Sequence, residues 1–171
     1  LEAAMSKRLL KGLRKAIEFE LNGHYFYLMA ADSMKDSKGK KLFKKLAEEE
    51  LEHKKFLENH FNAISKTGKP DPKAKLSKGI DLSGNNPLFS NDLKKRIKDA
   101  HFEMTAVSVA INLELNSIKY YKSEAKAATE PKVKKFFEEL VKWETGHYDA
   151  LVRQDNAVKE EYWDNYNFAP F

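Results

Sequence analysis

The stretch FKKLAEEELEHKKFL, Phe43 to Leu57, has the composition and periodicity of a helix, and it contains an anomaly. Steps of three and four residues place Phe43, Leu46, Glu50, His53, Leu57, His60 and Ile64 on one seam. Two strongly polar residues, Glu50 and His53, therefore occupy positions where an apolar stripe should continue. Burying an unpaired carboxylate costs several kcal/mol by order of magnitude, so a helix that aims one into its core needs a compensating partner there.

The same anomaly occurs twice. Moved along the chain by 94 residues, Phe43, Leu46, Glu50, His53 and Leu57 fall on Phe137, Leu140, Glu144, His147 and Leu151. At that offset AIEFELNGHYFY, residues 16 to 27, lies over AINLELNSIKYY, residues 110 to 121, with six of twelve positions identical and no gap. A duplicated helical hairpin accounts for this, with its two copies facing each other about a pseudo-twofold axis.

Punctuation along the chain sets the element order. Ser6 is a candidate cap for a first helix to about Met34, and KDSKG interrupts it before a second helix from about Gly39 to Ile64. Ser90 is expected to start a short helix leading into a third, whose main body spans about Thr105 to Ala127. Thr129 as cap and Pro131 in the first turn open a fourth, expected to reach about Lys159. Residues 65 to 90 hold three of the five prolines and no sustained periodicity. One long link between two short ones predicts an all-α four-helix bundle of residues 5 to 159 with a single crossover between helices 2 and 3. Leu1 to Ala4 read as a cloning remnant, and residues 160 to 171 as an aromatic tail that folds back or enters a partner subunit.

The duplication selects six residues: Glu20 and Glu114 from helices one and three, Glu50 with His53 from helix two, and Glu144 with His147 from helix four. The i, i+3 spacing of each ExxH puts carboxylate and imidazole on one face, within reach of a common point. No lysine or arginine stands on those seams, whereas two divalent cations would balance the four carboxylates. One glutamate from each of two helices and an ExxH from each of the other two is the ligand pattern of ferritin-like di-metal bundles. Carboxylates with imidazoles suit iron or manganese, with zinc a possible occupant.

Other residues are assigned by their register. Tyr27 and Tyr121 lie two turns beyond Glu20 and Glu114, and either hydrogen-bond a ligand carboxylate or serve as core tyrosines with another partner. Gly23 and Ser117, three residues past the same glutamates, either leave room for an oxidant or allow close helix packing. His24, His60 and His101 are not expected to be ligands, Trp143 is expected to pack against a neighbour, and Glu48, Glu49, Glu52, Glu138 and Glu139 read as solvated charge.

Composition narrows the remaining possibilities. The chain has 171 residues, enough for one domain with a sizeable core, and no cysteine, which excludes disulfides, thiolate zinc and iron–sulfur clusters within it. Its net charge of +5 comes from lysines interleaved with glutamates, which reads as a solvated helix surface rather than a nucleic-acid face. The longest apolar run, YFYLMAA, is too short to cross a bilayer, and a cytoplasmic address is the expectation.

AIEFELNGHYFYLMAA, EEELEHKKFL, AINLELNSIKYY, WETGHYDAL and EYWDNYNFAPF together resemble the rubrerythrin branch of the ferritin-like superfamily. The resemblance implies two irons bridged by Glu50 and Glu144, with Glu20 and Glu114 as terminal ligands and His53 and His147 each on one metal. It further implies reduction of hydrogen peroxide or dioxygen by a homodimer or larger assembly, with an iron-binding ferroxidase storage role as the alternative. Two departures stand out. The rubredoxin domain of the family has no counterpart in these residues, so electrons are expected from a separate rubredoxin or flavoprotein reductase. The family's additional helix-three glutamate, three residues past the ligand, is Ser117 here.

Overall fold

The computed structural model describes residues 2–75, 90, 93 and 100–166. Four long helices carry nearly all of them: α1 (Glu2–Ser33), α2 (Ser37–Thr67), α3 (His101–Ala127) and α4 (Pro131–Tyr166). α1 pairs with α2 and α3 with α4, while α1 also packs on α3. Among the described residues no helix is long and apolar enough to cross a membrane.

Helix ends differ from the sequence expectations in instructive ways. α1 already includes Glu2, so Ser6 is interior; the preceding Glu, Ala, Ala and Met all favour helix and carry it upstream. α2 is capped by Asp36, whose Oδ1 accepts from the Gly39 N–H at 2.7 Å, and it ends on Gly68 in the left-handed region at φ 71°. α3 starts four residues before Thr105, at His101. In α4 the first helical residue is Pro131, and the Glu130 carbonyl accepts from Lys134, so the cap position falls on Glu130 rather than Thr129. α4 also runs seven residues past Lys159, so residues 160 to 166 of the expected tail are helical, and the rest lie outside the described residues. Of the short helix expected after Ser90, Leu93 and Ala100 are described: the Leu93 N–H donates to Ser90 Oγ at 3.2 Å, as at a helix start, and both side chains are buried in the core.

The core is divided into two apolar clusters. One contains Leu13 and Ala16 of α1, Leu57 and Ile64 of α2, Tyr121 and Ala125 of α3, and Phe137 and Leu140 of α4. The other contains Tyr27, Ala30 and Ala31 of α1 with Met34 just past its end, Phe43, Leu46 and Ala47 of α2, Ala106, Val107 and Ala110 of α3, and Leu151 with Val158 of α4. Each cluster thus takes opposite halves of paired helices, so both hairpins are antiparallel and α2 runs parallel to α3. The chain leaving α2 must therefore return the length of the bundle, about 45 Å at 1.5 Å per residue, before α3 can begin. That geometry is why the connection is long. Its far end is anchored at Asp36, whose Oδ2 accepts from both the N–H and the hydroxyl of Ser90.

Candidate metal centre

Between the two apolar clusters lies a polar layer. Glu20, Glu50, His53, Glu114, Glu144 and His147 all point into it, and none exposes more than 6 % of its surface. Their donor atoms form two groups, Glu20 with Glu50, His53 and Glu144, and Glu50 with Glu114, Glu144 and His147. Within each group the atoms lie within 4.8 Å of one another. Glu50 and Glu144 belong to both. His53 and His147 stack at 5.6 Å with planes 13° apart, forming one wall of the layer where α2 faces α4.

Crowding four carboxylates into one dry layer perturbs their protonation. Burial, reinforced by the Glu50 charge, lifts Glu20 to about 8, and burial with the charges of Glu20, Glu114 and Glu50 holds Glu144 well above the carboxylate range. Glu50 goes the other way: burial opposes its ionisation, but His147 and His53 flank it and hold it well below. Desolvation disfavours charge on His53, yet Glu20 and Glu50 overcome it and raise the ring to about 10; His147 is raised in the same manner among Glu114, Glu49 and Glu50. Protons thus supply part of the counter-charge that the ligand arithmetic demands. They leave two buried polar atoms unmet. Glu144 Oε1 and His147 Nδ1 are buried without a hydrogen bond, although His147 Nδ1 lies 3.4 Å from Glu50 Oε1 and 3.6 Å from Glu114 Oε1. Two buried polar atoms without a hydrogen-bond partner, both able to ligate a cation, fit a metal pair of the kind that carboxylates and imidazoles hold.

The tyrosines answer the alternative posed by their register. Tyr121 donates to Glu20 Oε1 at 2.6 Å, and Tyr27 donates to Glu114 Oε1. Each therefore steadies a carboxylate of the opposite hairpin, a reciprocal crossing that the pseudo-twofold axis requires. Burial and the adjacent carboxylates keep both phenols protonated far above their usual range, so they remain donors.

Glu49 corrects the sequence reading. Instead of solvated charge it is a buried residue whose Oε2 lies 2.9 Å from His147 Nε2. It stands one position off the Glu50 seam, and α4 covers that flank. The signal was present in the breadth of a buried helix face, which spans more than a single heptad stripe. Trp143 packs against neighbours as expected, stacking on the His53 ring at 5.2 Å and meeting Phe56 edge-on at 5.3 Å. The remaining histidines lie outside both groups: His24 Nδ1 bonds the Ala47 carbonyl at 2.6 Å, His60 Nδ1 accepts from the Asp71 N–H at 3.2 Å, and His101 is exposed. Glu138 and Glu139 pair with Lys134 and Lys142 at the surface, and Glu48 and Glu52 are exposed.

Opposite the histidine wall, where α1 meets α3, a cavity of about 110 Å³ reaches the centre. Its lining is itself duplicated, pairing Glu20 with Glu114, Asn22 with Asn116, and Gly23 with Ser117. At Gly23 an added Cβ would sit 3.4 Å from Glu50 Cγ, so a methyl fits and anything larger would press on that carboxylate. Ser117 turns its hydroxyl back to the Leu113 carbonyl at 3.3 Å.

Comparison with known proteins agrees with this geometry. The family model described as Rubrerythrin matches residues 11–155, most of the chain and all six donor residues. Neither the curated proteins nor the solved structures gave a match. The chain belongs to the rubrerythrin family.

Proposed function

We propose that this chain is a non-haem di-iron oxidoreductase that reduces hydrogen peroxide or dioxygen with electrons from a separate donor. The observation that carries the reading is the pair of four-donor groups sharing Glu50 and Glu144. A pair of ions would share Glu50 and Glu144, with Glu20 and His53 holding one and Glu114 and His147 the other. Two ferrous ions held there would supply the electron pair that the oxidant takes up.

The chain's own residues prepare that chemistry. Tyr27 and Tyr121 fix the terminal carboxylates, so an ion meets preset donors rather than rotating ones. The two apolar clusters above and below the layer limit bulk water, which strengthens each charge interaction inside it. Gly23 and Ser117 keep the α1–α3 side narrow but passable, and the cavity there is of a size for a diatomic or peroxide molecule. In this reading the electrons come from a rubredoxin or flavoprotein reductase. Exposed Tyr25, Leu28 and Met29 on α1, with Phe102 and Val109 on α3, support assembly into a homodimer or larger oligomer.

Anaerobic purification, metal quantification and a peroxide titration of the reduced protein test the reading. About two irons per chain and repeated peroxide consumption with a reductase present are expected. A large mineral load after a single oxidation would instead establish iron storage, and failure to bind a metal pair would refute both.

A further inference from the structure

The two halves of the centre agree in every ligand and differ one step behind it. His53 and His147 occupy equivalent positions, and each turns Nδ1 toward the carboxylates: His53 Nδ1 lies 3.3 Å from Glu20 Oε2 and 3.4 Å from Glu50 Oε2. Behind the rings the equivalence ends. Nε2 of His147 meets the buried carboxylate of Glu49 at 2.9 Å, contributed by the other hairpin. The residue 94 positions after Glu49 is Trp143, whose indole stacks on His53 instead.

We propose that Glu49 is a positioning residue that makes the two metal sites unequal. It accepts the Nε2 proton of His147, so that an ion displacing the Nδ1 proton meets a lone pair facing inward. The site of Glu50, Glu114, Glu144 and His147 then binds a divalent ion more tightly than the site of Glu20, Glu50, His53 and Glu144. This inference rests on the di-metal reading above.

The physical difference lies in what each partner can do to an imidazole. A carboxylate accepting from Nε2 selects one tautomer, stops the ring from turning, and pushes electron density toward Nδ1. An indole face sets the plane of the ring through contact but gives a ring N–H no carboxylate lone pair. Outer partners of the first kind are worth 10- to 100-fold in metal affinity. The first ion should therefore settle beside His147, and the second beside His53.

Titration of the metal-free full-length chain with Co²⁺ under anaerobic conditions, followed by calorimetry and visible absorption, tests this. Two steps separated by about tenfold or more are expected for the parent chain. Glu49→Leu should weaken the tighter step by about 10- to 100-fold and leave the weaker one in place. Glu49→Gln, which keeps an acceptor oxygen, should recover most of the loss, and Trp143→Phe should leave the tighter step unchanged. In the Zn²⁺-loaded protein, ¹H–¹⁵N correlations should find His147 protonated at Nε2, with that proton exchanging faster in both Glu49 variants than in the parent. Glu49→Leu with both steps unchanged, or both weakened equally, would overturn the proposal. Should Glu49→Leu not fold, unchanged exchange in Glu49→Gln would overturn it equally. A parent chain that binds no Co²⁺ would instead remove the di-metal reading itself, a distinguishable result.

Discussion

The α1–α2 hairpin and the α3–α4 hairpin contribute one glutamate, one ExxH and one tyrosine each to the same layer, yet around it they have diverged. Behind the histidines, Glu49 stands opposite Trp143. On the outer surface, exposed Tyr25 and Leu28 correspond to Lys119 and Lys122, while exposed Phe102 and Val109 correspond to Arg8 and Lys15. What the two copies retain is what a buried charge cluster cannot lose without collapse. What they have changed is what faces solvent or the back of a ring, where a substitution costs little and can alter binding.

Glu50 and Glu144, the carboxylates common to both groups, offer the hardest test of the copies' equivalence. Glu144 holds a proton in the metal-free chain, whereas Glu50 is ionised between two imidazoles. Glu50→Gln should cost the metal-free protein about 3 kcal/mol in chemical denaturation at pH 6, because it removes the carboxylate charge that both buried rings share. Glu144→Gln replaces one neutral group by another and should cost less than about 1 kcal/mol. Both should abolish binding of a metal pair, and equal destabilisation would show that the apparent asymmetry is absent.

Metal should reverse the pH dependence of the layer. Glu20 at about 8 and His53 at about 10 both hold protons in the folded chain that the unfolded chain has released, across the interval above 4.5 for Glu20 and above 6.5 for His53. The folded state therefore binds more protons, and metal-free stability should fall as pH rises through these ranges. Glu50 acts in the opposite sense only as pH falls below its ordinary value. Metal ligation needs the same groups deprotonated, so Mn²⁺ should raise the melting temperature more at pH 8 than at pH 6. A hundredfold excess over Kd would contribute about 2.7 kcal/mol. An increment independent of pH would separate metal binding from this layer.

The tyrosines probe where the copies should still agree. Tyr27→Phe and Tyr121→Phe each leave a buried carboxylate oxygen without its donor, and each should cost about 2 kcal/mol. Urea unfolding that finds one loss much larger than the other would show divergence inside the layer as well. Smallest is the effect at Gly12, where an added Cβ would meet Phe137 Cζ at 2.8 Å. Its counterpart is Ala106, buried in the other cluster with Phe43. Gly12→Ala gains about 1 kcal/mol of helix propensity but overpacks the ring, for a net loss of about 1 kcal/mol. A gain in melting temperature would mean that Phe137 yields and that the two interfaces have equal room.

How much of this was legible beforehand depended on whether a feature is linear in the chain. Periodicity exposed Glu50 and His53 because a seam with a charged gap is a local pattern, and the offset of 94 then located Glu144, His147, Glu20 and Glu114. The proline-rich link between helices required a crossover because a short turn cannot return the length of a helix. Helix limits at Ser6, Thr129 and Lys159 moved because end positions depend on weak local preferences that neighbouring residues override.

By itself, then, the sequence determined the four-helix plan, its duplication and the six candidate donors, since each follows from spacing along one chain. Only the tertiary structure decided that Tyr27 reaches Glu114 and Tyr121 reaches Glu20, that Glu49 is buried behind His147, and that the cavity opens between α1 and α3. Spacing establishes the direction in which a side chain leaves its helix. What it meets there depends on how another helix is rotated and how closely it packs, which no single helix encodes.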